Sequence, residues 1–200
     1  MRRLIIGSAT ALALGLGISR VAGAQGGDFG TEQPRMIRVG FAGGVSVPIS
    51  DAKDALKNGF TGEGFVLVRL GPLPAVRLNL NYQRFDFKQA VLAAGQAQDG
   101  HSEIFGGTGG ISLNLLNGPV RPYLTAGVGA FNVKNVIEST SGSSSASKTK
   151  FGIDGGGGIA LHVGRLDAFI EGRIQNVYTE RGLIDTKSIQ SIPVTFGIVF

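Results

Sequence analysis

The chain has no cysteine in its 200 residues, which rules out a disulfide framework and a lipid-modified N-terminal cysteine. It has two histidines, His101 and His162, too few for a histidine-rich metal centre, so no metal site is expected. Tryptophan is absent and tyrosine occurs 3 times, against 12 phenylalanines. Beyond residue 24 no stretch has the roughly 18 uninterrupted apolar residues that a membrane helix requires, so any membrane crossing must be built from strands. A basic stripe is missing too, which argues against a nucleic-acid partner.

Glycine is abundant, at 33 of 200 residues where about 7% is usual. It opposes long helices. Because the glycines fall inside alternating segments, they suit a sheet that bends sharply and packs side chains into a narrow interior.

Residues 1–24 read as an export signal. Arg2 and Arg3 precede the apolar run Leu4 to Ile18, and Ala22-Gly23-Ala24 offers a small-x-small cleavage site. Removing this segment takes away Arg2, Arg3 and Arg20 and no acid, so 19 basic against 14 acidic residues become 16 against 14. Residues 25–35 carry no period and read as a lead into a domain over 36–200.

From 36 onward, eight segments alternate with period two. The last is the clearest. Ile192, Val194, Phe196, Ile198 and Phe200 share one parity up to the end of the chain, opposite Ser191, Pro193, Thr195 and Gly197. The others fall at about 36–47, 63–70, 76–86, 103–115, 121–132, 150–163 and 166–176. Along 76–86, Val76, Leu78, Leu80 and Tyr82 oppose Arg77, Asn79, Asn81 and Gln83; along 166–176, Leu166, Ala168, Ile170 and Ile174 oppose Asp167, Glu171, Arg173 and Gln175.

The connections alternate in length. Gly71 to Ala75, Leu116 to Pro119 and Gly164-Arg165 are short, whereas 48–62, 87–102, 133–149 and 177–188 are long. Short turns on one rim and long loops on the other are the pattern of an outer-membrane barrel with both termini on the periplasmic side. The expectation is an all-β fold: an eight-stranded antiparallel up-and-down transmembrane β-barrel. Within the long loops, Ser50 to Lys57 reads as a short capped helix, and the Ser/Gly stretch Ser139 to Ser147 reads as a mobile, solvated loop.

The stretches Arg121-Pro122-Tyr123-Leu124-Thr125-Ala126-Gly127-Val128-Gly129, Phe169-Ile170-Glu171-Gly172-Arg173 and Ile192 to Phe200 resemble those of the small eight-stranded outer-membrane β-barrels, the OmpX and opacity-type proteins. That resemblance implies an integral barrel with structural or adhesive roles and no catalytic, cofactor or metal site. The implied partners are outer-membrane lipids, lipopolysaccharide, the barrel-assembly machinery and a surface ligand of the loops, with the barrel a monomer. The shortage of Trp and Tyr implies thin aromatic girdles or girdles of Phe. With nothing after Phe200, a peptidoglycan anchor of the OmpA kind is not expected.

The candidate functional set is the inward polar parity: Arg38, Glu63, Arg69, Arg77, Arg121, Tyr123, Asp154, Asp167, Glu171 and Arg173. Charges in a narrow bore must be paired, and eight strands leave room only for side chains, so these read as an interior plug rather than a pore. Arg121, Asp154 and Asp167 are the expected partners of Glu171 and Arg173. The inward Gly127, Gly129, Gly156 and Gly158 are expected to make room for long arginines.

Other readings compete with this one. A small channel lined by the same charges is the alternative to the plug. An outer-membrane lipid-A-modifying enzyme would need Ser and His together, but adjacent residues of His101-Ser102-Glu103 face opposite sides of a strand. A soluble ligand-binding barrel would expose Val76, Leu78, Leu80, Ile170 and Ile174 to water. Gly155-Gly156-Gly157-Gly158-Ile159-Ala160 fits a dinucleotide fingerprint in letters only, because strand alternation continues through Leu161 and Val163 where a helix should begin.

Ile192, Val194, Phe196, Ile198 and Phe200 are read as the assembly signal. Deleting Phe200 is expected to lower the amount of barrel in the outer-membrane fraction; wild-type levels of the truncated chain there would rule this role out.

Overall fold

The structure, a computed structural model, describes residues 36–69, 74–94, 97–139, 142–178 and 188–200. The export signal, the N-terminal lead, most of the 71–75 turn and most of the 177–188 loop lie outside them.

Eight strands follow one another: β1 (Ile37–Ile49), β2 (Gly59–Arg69), β3 (Ala75–Asp86), β4 (Asp99–Asn114), β5 (Val120–Ser139), β6 (Gly142–Val163), β7 (Leu166–Tyr178) and β8 (Ser188–Val199). Each pairs antiparallel with the next, and β8 pairs with β1 to close the barrel. Period-two patterning sets the register throughout: along β7, Asp167, Phe169, Glu171, Arg173, Gln175 and Val177 are buried, and the residues between them are not. Phe200 extends the closing seam, exchanging backbone bonds of 3.0 and 2.9 Å with Val39, and its ring lies 6.1 Å from that of Phe41.

The outer face is apolar on every strand, with Phe41, Phe60, Leu80, Phe105, Leu124, Ile159, Ile174 and Phe196 among its exposed side chains. Phe60 pairs with Tyr82 and Phe151 stacks on Tyr178 toward the long-loop rim, so phenylalanine and tyrosine share these pairs equally. No helix among the described residues is long and apolar enough to cross a membrane.

Large inward rings are accommodated by glycine on the neighbouring strand. A Cβ at Gly40 would fall in the Phe65 ring, at Gly106 or Gly152 in Phe131, at Gly158 in Tyr123, and at Gly197 against Phe169. The expected role of the inward glycines is therefore corrected. Gly156 alone of the four meets an arginine, Arg173; Gly127 faces the Asp154 carboxylate, Gly158 faces Tyr123, and Gly129 backs onto the main chain of β4. Flat rings lie against the wall and need its missing Cβ atoms, whereas guanidinium groups go where their carboxylates are. At the short turns, Gly164 takes φ +66°, a left-handed conformation that side chains disfavour.

Two loop expectations change. The first long connection contains α1 (Ala52–Ala55), shorter than expected and without a side-chain cap from Asp51, and the second contains an unanticipated α2 (Gln89–Ala94). The Ser/Gly stretch is solvated, with Ser144 to Thr149 exposed, but it belongs to a strand: pairing continues from Val133↔Lys148 to Ser139↔Gly142. Ladder bonds need no apolar face on β6, because β5 is held on its other side by β4 as far as Asp99↔Glu138.

Candidate functional site

From the short-turn rim toward the loops, the inward side chains of the barrel form distinct layers. At the rim, Asp167 is bound by Arg38, Arg121 and His162, the last at 2.7 Å. Arg69 lies within electrostatic reach of the same group. Next come Phe65, Tyr123 and Phe169, with ring centroids 5.6 Å apart for Phe65 and Phe169 and 6.5 Å for Tyr123 and Phe169. Val199 and Leu67 pack with them.

The centre is ionic. Arg77 donates to Glu171 at 2.5 Å and to Glu63 at 3.4 Å, and stacks over Phe65 with its guanidinium carbon 4.0 Å from the ring centroid. Arg173 bonds Glu63 and contacts Glu171 at 3.0 Å and Asp154 at 3.6 Å. The Tyr123 hydroxyl donates to Glu171 at 2.7 Å, joining this layer to the aromatic one. Asp154 is the loosest member. Its oxygens have no hydrogen bond beyond the contact to Arg173, and a Cβ at Gly127 would stand only 3.2 Å from Oδ2.

Above it lies a belt of amides and hydroxyls. The Gln175 side-chain carbonyl accepts from Gln83 at 2.7 Å and Asn81 at 3.3 Å; that of Gln83 accepts from Ser46 and Ser191, each at 3.3 Å. Nearest the loops the bore turns apolar. Phe85, Ile104, Phe131, Val133, Val177 and Ile189 pack with Ala52 and Ala55 of α1 and Leu92 of α2.

All ten residues of the candidate set have inward parity, but they do not form one constellation. Glu63, Arg77, Tyr123, Asp154, Glu171 and Arg173 meet at the centre, whereas Arg38, Arg69, Arg121 and Asp167 occupy the rim. Of the partners expected for Glu171 and Arg173, only Asp154 is in contact; Arg121 and Asp167 bind each other, because they sit at the β5 and β7 ends. The partners that matter more, Glu63 and Arg77, lie on the far wall, and parity along one strand says nothing of a contact across the bore. The apolar loop-side layer was also missed. Its signal was present, since Phe85, Ile104 and Phe131 share the parity of polar neighbours on their own strands.

His101 belongs to β4 rather than to a loop. It faces outward, 3.7 Å from Glu103, while Ser102 is buried inside, so the sequence triplet is split by the sheet. Gly155 to Gly158 lie within β6, with strand rather than helix after them.

Replacing Glu171 by Ala leaves Arg77 and Tyr123 short of an acceptor in a site without bulk water. The variant is expected to lose about 3–5 kcal/mol in urea unfolding, against less than about 1 kcal/mol for Glu103→Ala on the outer face. Equal losses would show that the central network does not support the barrel.

Comparison with protein-family models and with curated proteins gives no match. Solved structures do match. Neisserial surface protein A is 16% identical with a TM-score of 0.59, covering 82% of this chain and 95% of its own. A major outer membrane protein from Thermus thermophilus is 13% identical with a TM-score of 0.58, covering 82% and 98%. Ail, the attachment invasion locus protein of Yersinia pestis, in complex with the heparin analogue sucrose octasulfate, is 17% identical with a TM-score of 0.51, covering 82% and 99%. Layered interior, apolar outer wall and strand order thus describe a chain with the small eight-stranded β-barrel fold found in outer-membrane proteins.

Proposed function

We propose that this chain is a non-enzymatic barrel of the outer membrane that engages a surface partner protein through the β5–β6 hairpin on its long-loop side. Membrane residence is supported by the outer wall, whose apolar side chains on all eight strands would otherwise face water. A filled interior supports a structural body rather than a conduit.

The observation that carries the binding role is the length of the β5–β6 hairpin, whose ladder runs on from Ala130↔Phe151 to Ser139↔Gly142 on the long-loop side of the barrel. Ten residues at about 3.3 Å each carry it about 30 Å. β4 holds it from behind through β5. Ser144, Ser145, Ala146, Ser147, Lys148 and Thr149 are exposed along it. Short hydroxyl side chains and a lysine offer hydrogen-bond donors and a positive charge, which favours a partner carrying acidic side chains.

The test uses the folded barrel and a version shortened by residues 139–147 as baits for the same surface partner. Capture is expected to fall at least about tenfold on shortening, and the bound partner is expected to slow amide exchange at residues 144–150. Equal capture by both baits, or unchanged exchange on binding, would overturn the hairpin as the docking element.

A further inference from the structure

The short-turn mouth of the barrel gathers more positive charge than it neutralises. Arg38, Arg69 and Arg121 come to it from β1, β2 and β5, and among the described residues Asp167 is the one side-chain carboxylate that pairs with this group. Its oxygens are committed: Oδ2 to Arg38 and Arg121, Oδ1 to His162. Among the described residues Arg69 has no carboxylate partner. Within this described group, three guanidinium charges and one side-chain carboxylate leave an excess of two positive charges before His162 is counted.

No help comes from the interior. Phe65, Tyr123 and Phe169 stand between the mouth and the centre, where Glu63 and Glu171 are committed to Arg77 and Arg173, and Asp154 to Arg173. The mouth is nonetheless reachable, since Arg38 and Arg121 keep 16% and 18% of their side-chain surface and His162 keeps 45%. A half-buried setting screens like-charge repulsion less than open water does.

We infer that this mouth is a receptor for a phosphate-type oxyanion, with Arg69 as the primary ligand and Arg38 and Arg121 completing the cradle. The excess of two charges matches a phosphate dianion. A tetrahedral oxyanion also offers oxygens toward three separate strands, and guanidinium forks fit such oxygens in pairs. A single carboxylate, planar and singly charged, satisfies neither condition. The phosphate comes either from solution or from a phospholipid headgroup folded into the mouth.

The folded barrel is placed in dodecyl maltoside micelles, which contain no phosphate, and titrated with inorganic phosphate while the arginine Nε–Hε resonances are followed. Saturable one-site shifts are expected for Arg38, Arg69 and Arg121. Arg69→Gln is expected to weaken binding at least about tenfold, as loss of a charge-assisted contact does. Lys53→Gln, on α1 at the opposite end, leaves it unchanged. The amide spectrum of Arg69→Gln reports whether that variant keeps the barrel. In a second arm the protein sits in phosphatidylglycerol nanodiscs. If the same resonances are already shifted there and no longer respond to inorganic phosphate, the lipid headgroup is the source; if they still titrate, it is free phosphate. Absence of saturable shifts in both arms, or equal binding by Arg69→Gln in the folded barrel, overturns the inference.

Discussion

A guanidinium group enclosed in a bore too narrow for bulk water must find carboxylates there, and in this barrel that requirement ties opposite walls together. Arg77 on β3 and Arg173 on β7 share Glu63 on β2 and Glu171 on β7, so the central contacts cross the lumen rather than run along one strand. Each group is costly alone and tolerable in the set. Closure of β8 on β1 places the two sides at the separation these side chains span, and the rings of Phe65 and Tyr123 are fixed in turn by Arg77 and Glu171. Glycine on neighbouring strands then becomes a necessity, since a wall with a Cβ at every inward position would not admit those rings.

Much of this was legible in the residues. Period-two alternation identified eight strands and the inward face of each, because side-chain direction in a strand follows from covalent geometry alone. The turn and loop lengths identified the two rims. What parity omits is height and distance across the bore. It placed Arg121, Asp167, Glu171 and Arg173 on the inside together, but Arg121 and Asp167 sit at the mouth, beyond an aromatic layer, and pair with one another. The loop-side apolar layer escaped notice for a related reason: Phe85 and Ile104 gain their significance only beside α1 and α2, and α2 is stabilised by long-range packing that local propensity scarcely signals.

The Ser/Gly stretch illustrates a different limit. Composition identified its solvation correctly, yet a strand can be fully solvated when the neighbouring strand supplies the pairing and the apolar contact. Val133 and Ile137 on β5 pack toward the loop-side core, and β6 follows β5 there with Ser144 to Thr149 exposed. Among the described residues the barrel thus has a closed, layered body and two ends of different chemistry, a serine-rich hairpin of β5 and β6 at one and an arginine-rich mouth at the other.

The claim on which the rest depends is that the lumen is filled from end to end. The most direct measurement is the current carried by the folded protein in planar bilayers. Five layers of interlocking side chains, two of them apolar or aromatic, predict no steady conductance steps of uniform size. Reproducible steps that change when Arg173 or Arg77 is replaced by Ala would contradict the account and make the central charges the lining of a small channel.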